Sequence, residues 1–185
     1  MINKNNEKVQ RLTEIMAQFV GFTAKKLPDD VINKLAELSD KEDSPMAKVI
    51  YDTMFRNQDL AVELNRPSCQ DTGVLQFWVK CGTRFPLIDE LEELLREAVI
   101  QATVHAPLRH NSVETFDEYN TGKNVGKGTP TVWWDIIPHS DECEIYTYMA
   151  GGGCTLPGNA TVLMPGEGYE GVTKFVLDRM TTYGL

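Results

Sequence analysis

Asn65-Arg66-Pro67-Ser68-Cys69-Gln70-Asp71-Thr72-Gly73 runs directly into Val74-Leu75-Gln76-Phe77-Trp78-Val79, and this junction decides the fold class. The first nine residues form a polar loop bounded by proline and glycine. The next six read as a strand buried mostly on both faces. Upstream, residues 1–64 read as a helical segment; downstream, residues 65–185 carry strands and helices in blocks rather than in strict alternation. That ordering predicts an α+β fold, with N-terminal helices packed on a small, mainly antiparallel sheet and further helices.

Working upstream, Val9, Leu12, Ile15, Phe19 and Phe22 recur at helical spacing and predict one buried face. Leu27-Pro28 breaks that helix, because proline disfavours a helical residue before it. Asp29 and Asp30 suit the positive end of a second helix carrying Val31, Leu35 and Leu38. Ser44-Pro45 supplies a capping hydroxyl and a proline at the first helical position of a third. The third helix is expected to bury Met46, Val49, Ile50, Met54, Ala61 and Leu64. Downstream, Asp89 is a candidate cap for a helix through Leu91, Leu94, Leu95, Ala98 and Ala102. Strands are expected at 131–137 and 143–150, joined by the short polar link Pro138-His139-Ser140-Asp141-Glu142 as an antiparallel hairpin. A last helix carries Val172, Phe175, Val176 and Met180.

The chain has 185 residues and a net charge of −9, from 18 Lys+Arg against 27 Asp+Glu. The acidic excess argues against a nucleic-acid surface or an anionic membrane as partner. No apolar stretch approaches the roughly 18 residues of a membrane helix, and the polar N-terminus lacks the apolar core of a secretory signal. A cytoplasmic protein is expected. Its cysteines, at 69, 81, 143 and 154, form no CxxC pair. Each reads by default as a small buried hydrophobe.

Chemistry concentrates at a few places. Cys69-Gln70-Asp71-Thr72-Gly73 places a soft metal ligand, an amide, a carboxylate and a hydroxyl together. A thiolate there suits iron or zinc, and Asp71 could act as a base; the bland alternative is a turn in which Asp71 caps local amides and Cys69 packs inward. Gly151-Gly152-Gly153, closing a strand, suggests backbone that a ligand approaches closely, with amides forming an anion nest. Arg109 is a natural clamp for a carboxylate. His105 and His110 are proton-carrier or structural candidates, and His139 is expected to face solvent. Asn120 to Pro130 resembles a phosphate loop only weakly, since Lys127 is followed by Gly128 and residue 121 is Thr.

Along essentially its whole length the sequence resembles the α-subunit of the iron–sulfur hydro-lyases, the class I fumarase and L-tartrate dehydratase family. The resemblance rests on RPSCQDTG (66–73), APLRHNSVE (106–114), NTGKN (120–124), WDIIP (134–138), MAGGGCTLPG (149–158) and LMPGEGYEGV (163–172). GGGCTLPG favours the tartrate dehydratase branch, since serine is expected after the glycines in typical fumarases. The resemblance implies a 4Fe–4S cluster held by three cysteines, of which Cys69 would be the first. It also implies that Gln70, Arg109 and the Gly153 amide meet the substrate and that Asp71 handles a proton. The reaction would be reversible addition or loss of water on a C4 dicarboxylate.

The second and third cluster cysteines are expected beyond Leu185, and Cys154 is a poor substitute. These residues therefore read as an N-terminal portion of the α-subunit, inactive alone. It would be completed by a β-subunit or C-terminal domain, with exposed apolar surface that favours self-association. The other readings are a non-catalytic assembly or regulatory module and a small metal-binding protein using Cys69 and Cys154.

Overall fold

Each break read from the sequence ends an element. The computed structural model describes residues 6–114, 117–155 and 158–184. Helix α1 spans Glu7–Lys25, α2 Asp29–Lys41 and α3 Pro45–Glu63. Asn6 caps α1 by accepting the Lys8 amide. Ser44 caps α3 by accepting the Ala47 amide, with Pro45 at the first helical position. Strand β1 (Val74–Gly82) leads through a 3₁₀ turn at Ile88–Glu90 into α4 (Leu91–His105). Strands β2 (Thr131–Ile137) and β3 (Cys143–Ala150) follow. Asp89 lies inside the 3₁₀ turn, and α4 starts from Glu90 without a side-chain cap. The expected Asp89 cap is therefore not made.

The three strands are ordered β2-β1-β3, with β1 parallel to β2 and antiparallel to β3. The α+β reading stands, but the sheet is mixed. The expected β2–β3 hairpin is also replaced by two strands that flank β1. The physical reason is reach. Crossing two strand spacings takes roughly 10 Å, which the five residues 138–142 span easily. The most apolar alternating set, Leu75, Phe77, Val79 and Cys81, thereby gains partners on both sides and is fully buried. The link passes close over the end of β1, where the Gly82 amide donates to Glu142 O (2.8 Å) and the Arg84 amide to Ser140 O (2.9 Å). A Cβ on Gly82 would lie 2.2 Å from the Ser140 carbonyl oxygen, so only glycine fits.

Burial of β1 is one-sided among the described residues. Trp78 is 52% exposed, stacked at 6.3 Å on Trp133, with Lys80 over the Tyr146 ring. The expectation of burial on both faces fails for this strand. The core instead lies between one face of the sheet and the pair α1/α4, where Leu91, Leu94, Leu95, Ala98, Val99 and Ala102 meet Val9, Met16, Ala17 and Val20. The buried face of α1 is thus its small-residue face, while Ile15, Phe19 and Phe22 are exposed. Small side chains let the chain approach closely: a Cβ on Gly21 would sit 3.0 Å from Ala106 Cβ. Helix α2 buries no residue and α3 only Ala61. Met46 is 72% exposed, and Val49, Ile50, Met54 and Leu64 are also exposed, contrary to the apolar-stripe expectation. Amphipathic spacing marks a face that could be covered; it does not supply the cover.

Residues 151–185 form a second unit. It holds the single helical turn α5 (Gly152–Thr155), a 3₁₀ turn at Pro165–Glu167 and α6 (Gly168–Gly184). Glu167 closes the turn by accepting the Met164 amide (2.7 Å).

Candidate active site

The loop carrying Cys69 is held by its polar neighbours. Ser68 donates both its amide (2.9 Å) and its hydroxyl (3.2 Å) to Ala24 O, at the end of α1. Ser68 O accepts Asn57 Nδ2 from α3 at 2.6 Å. Asn65, in the left-handed region at φ 52°, accepts Lys25 Nζ and donates to His105 O at the end of α4. Three helices therefore fix the loop, and the thiol they present is exposed, 3.6 Å from Gln70 Oε1. Of the turn alternative, the capping of a local amide by Asp71 holds, while the inward packing of Cys69 does not. Cys69 lines a cavity of about 150 Å³ with Asp71, Thr72, Ala24, Leu27 and Met149.

Asp71 is half-buried, and its Oδ1 accepts the Gly73 amide (2.9 Å) and the side-chain amide of Asn111. Thr72 Oγ1 donates to the carbonyl of Arg109 at 3.2 Å. These two bonds bring the 69–73 and 109–111 loops together across some forty residues of sequence. Arg109 is exposed, as are Gln70 and His110. A thiol, a carboxylate and a guanidinium-bearing residue thus share one corner of the first unit. Gly153 is exposed in α5 of the second unit, and among the described residues no atom lies within 4 Å of a Cβ placed on it. The side chain of Cys154 lies outside the described residues.

His105 ends α4, and its carbonyl accepts Asn65. His139 is exposed at φ 61° in the link over β1, as expected. Cys81 and Cys143 face each other across β1 and β3. Burial, reinforced by neighbouring Cys81, pushes the Cys143 thiol up to about 12, so at neutral pH it is a protonated core group. The reading as a small buried hydrophobe holds for Cys81, while Cys143 is half-buried against the core.

Residue-level reading of the sequence assigned no role to Asn111 or Asn124, and took Thr72 only as a hydroxyl beside Cys69 and Asp71. Asn124 is fully buried at φ 56° and binds with both ends of its amide. The available signal was an asparagine ending a glycine-containing polar run, NTGKN, since asparagine tolerates the left-handed region. Around it, Thr121 Oγ1 donates to Val125 O and Asn120 Nδ2 to His110 O, with Gly122 at φ 70° making the turn.

For a cluster, the donor set supplies one exposed thiol on an anchored loop beside a carboxylate. Among the described residues no group of three His, Cys, Asp or Glu could close around a metal. The residues present fit one corner of a cluster site.

The α+β scaffold thus presents an exposed cysteine two residues from a half-buried carboxylate, on a loop hydrogen-bonded to the one that carries Arg109. Residues 13–185 match the family model described as fumarate hydratase (Fumerase), and the chain belongs to that family. It is 58% identical over 187 residues to the L(+)-tartrate dehydratase subunit alpha of Escherichia coli strain K12, covering 100% of this chain and 62% of that protein. It is 31% identical over 177 residues to a protein of Methanocaldococcus jannaschii named "Putative L(+)-tartrate dehydratase subunit alpha", covering 94% of this chain and 62% of that protein. The chain thus spans about three fifths of the length of these relatives. Among the described residues, no helix is long and apolar enough to cross a membrane.

Proposed function

We propose that this chain is the N-terminal portion of the α-subunit of an iron–sulfur hydro-lyase of the fumarate hydratase and L-tartrate dehydratase type. It works in the cytoplasm, reversibly adding or removing water on a C4 dicarboxylate. The observation that carries the reading is the joining of the CQDTG and LRHN loops through Asn111–Asp71 and Thr72–Arg109. That joining supports the reading by tying the loop of Cys69 and Asp71 to the loop of Arg109. The 4Fe–4S cluster, when bound, supplies an open iron that acts as a Lewis acid.

Cys69 holds one corner of the cluster. Gln70 hydrogen-bonds the substrate, and Arg109 clamps a carboxylate through its two-pronged guanidinium. Asp71, steadied by Asn111 and the Gly73 amide, carries a proton to or from the reacting carbon or oxygen. The Gly153 amide is a further substrate contact in this reading. The run GGGCTLPG and the 58% identity favour L-tartrate as the diacid. The remaining cluster cysteines and catalytic groups come from sequence beyond these residues and from a β-subunit, in an oligomer.

Anaerobic reconstitution with iron and sulfide tests this, using the full-length chain co-expressed with its β-subunit and, separately, residues 1–185. Turnover of fumarate or L-tartrate is expected from the complex and not from residues 1–185. Robust turnover by residues 1–185 alone would reject the partial-site reading. A complex carrying the cluster but inert on every C4 diacid would reject the reaction.

A further inference from the structure

Among the described residues, the buried Asn124 side chain makes four hydrogen bonds. Its Oδ1 accepts the backbone amides of Asn111 (3.1 Å) and Ser112 (3.3 Å). Its Nδ2 donates to Arg109 O (2.9 Å) and to Thr103 Oγ1 of α4 (3.2 Å). Thr103 is itself fixed, donating to Val99 O within the helix at 2.8 Å. One buried amide therefore holds the backbone on both sides of His110 and ties it to the rigid core helix.

Of the two residues flanking His110, Asn111 meets Asp71 and Arg109 is the carboxylate clamp of the reading above. Arg109 presents the guanidinium, and its carbonyl also accepts Thr72 of the cysteine loop. Asn111 presents the amide that meets Asp71. Residues 106–114 lie outside helix and strand, so side-chain bonds largely set their path. A displacement of about 1 Å in a positioning element is enough to cost a large factor in rate or binding.

Resting on the functional reading above, we propose that Asn124 is a positioning residue. From the core it sets where Arg109 presents its charge to a dicarboxylate and where Asn111 meets Asp71. It does not touch the substrate. A merely structural asparagine would cost folded protein without a selective effect on substrate binding, and its effect would not depend on Arg109.

The test is a double-mutant cycle in the assembled enzyme, with KM for the dicarboxylate, kcat and thermal stability measured for each variant. Asn124→Ala is expected to raise KM about tenfold in the wild-type background and less than about twofold in an Arg109→Ala background. An equal rise in both backgrounds, or an unchanged KM in folded enzyme, would overturn the proposal. Should Asn124→Ala fail to fold, Thr72→Val removes a single bond to the same carbonyl. It is expected to raise KM about threefold, again only when Arg109 is present; a background-independent effect or none overturns the proposal.

A wild-type complex that turns over no C4 diacid would sink the functional reading, and amide exchange then judges the positioning role by itself. Asn124→Ala should speed exchange at residues 109–112 by at least about tenfold while α4 stays protected. Unchanged exchange at 109–112, or uniform loss of protection across the fold, overturns it.

Discussion

Gly82 ends β1 where the 138–142 link crosses over it, and replacing it with alanine tests the strand order directly. The added Cβ would fall 2.2 Å from Ser140 O and 2.4 Å from Ser140 C, backbone atoms that cannot rotate away. The link must retreat by about 1 Å to restore ordinary contact. That retreat strains the bonds from Gly82 N to Glu142 O and from Arg84 N to Ser140 O, each worth about 1 kcal/mol net. Overpacking adds about 1–3 kcal/mol, and the lower entropy of an unfolded alanine chain returns about 0.4–1 kcal/mol. The expected cost of Gly82→Ala is about 2–4 kcal/mol. Urea unfolding followed by tryptophan fluorescence reads it, since all three tryptophans lie in β1 and β2. Gly126→Ala is the control: its Cβ would meet Glu114 Cα at 3.6 Å, an ordinary contact. The control should stay within about 1 kcal/mol of wild type. A Gly82→Ala protein as stable as wild type would refute the crossing link, because a β2–β3 hairpin would leave Gly82 open.

In a Cys154→Ser background, maleimide at neutral pH is expected to modify Cys69, which is exposed, ahead of half-buried Cys143, whose thiol is protonated, and to spare Cys81 until unfolding; labelling of Cys81 in the native protein would contradict its burial. The Cys143 thiol is raised from 9.0 to about 12, so its contribution to stability is complete below about pH 9 and is lost as pH rises toward about 12. The stability gap between wild type and Cys143→Ser should therefore narrow above pH 9. In the assembled enzyme, Asp71→Asn is expected to lower kcat by about 10²–10⁴ with little change in KM; an active variant would remove Asp71 from proton transfer. Residues 1–185 alone should self-associate, because α3 and the outer sheet face expose Met46, Val49, Trp78, Trp133 and Tyr148. A clean monomer at high concentration by light scattering would count against that.

Local chemistry was legible where one residue dictates its own backbone. Leu27-Pro28 and Ser44-Pro45 mark the helix boundaries, and the alternation in 143–150 gives a strand with Ile145, Thr147 and Met149 on its inner side. Strand order was not legible, since a five-residue link can close a hairpin or step over a neighbour equally well. The buried face of α1 was misread because bulk was weighed above smallness. Ala17, Gly21 and Ala24 pack inward because they permit close approach, while Phe19 and Phe22 wait outside for no described partner. At the site, Cys69, Asp71 and Arg109 stand out by residue type alone. The asparagines and threonine that join them do not, because hydrogen bonding between loops forty residues apart leaves no local pattern.

The central claim is that the Cys69 thiol anchors an iron–sulfur cluster. Iron and sulfide content of the anaerobically reconstituted full-length α/β complex, with and without Cys69→Ser, tests it most directly. Four irons and four sulfides per α-subunit are expected in wild type, and a substoichiometric, unstable cluster in the serine variant that folds and assembles normally. A Cys69→Ser complex that keeps its full iron and sulfide would contradict it.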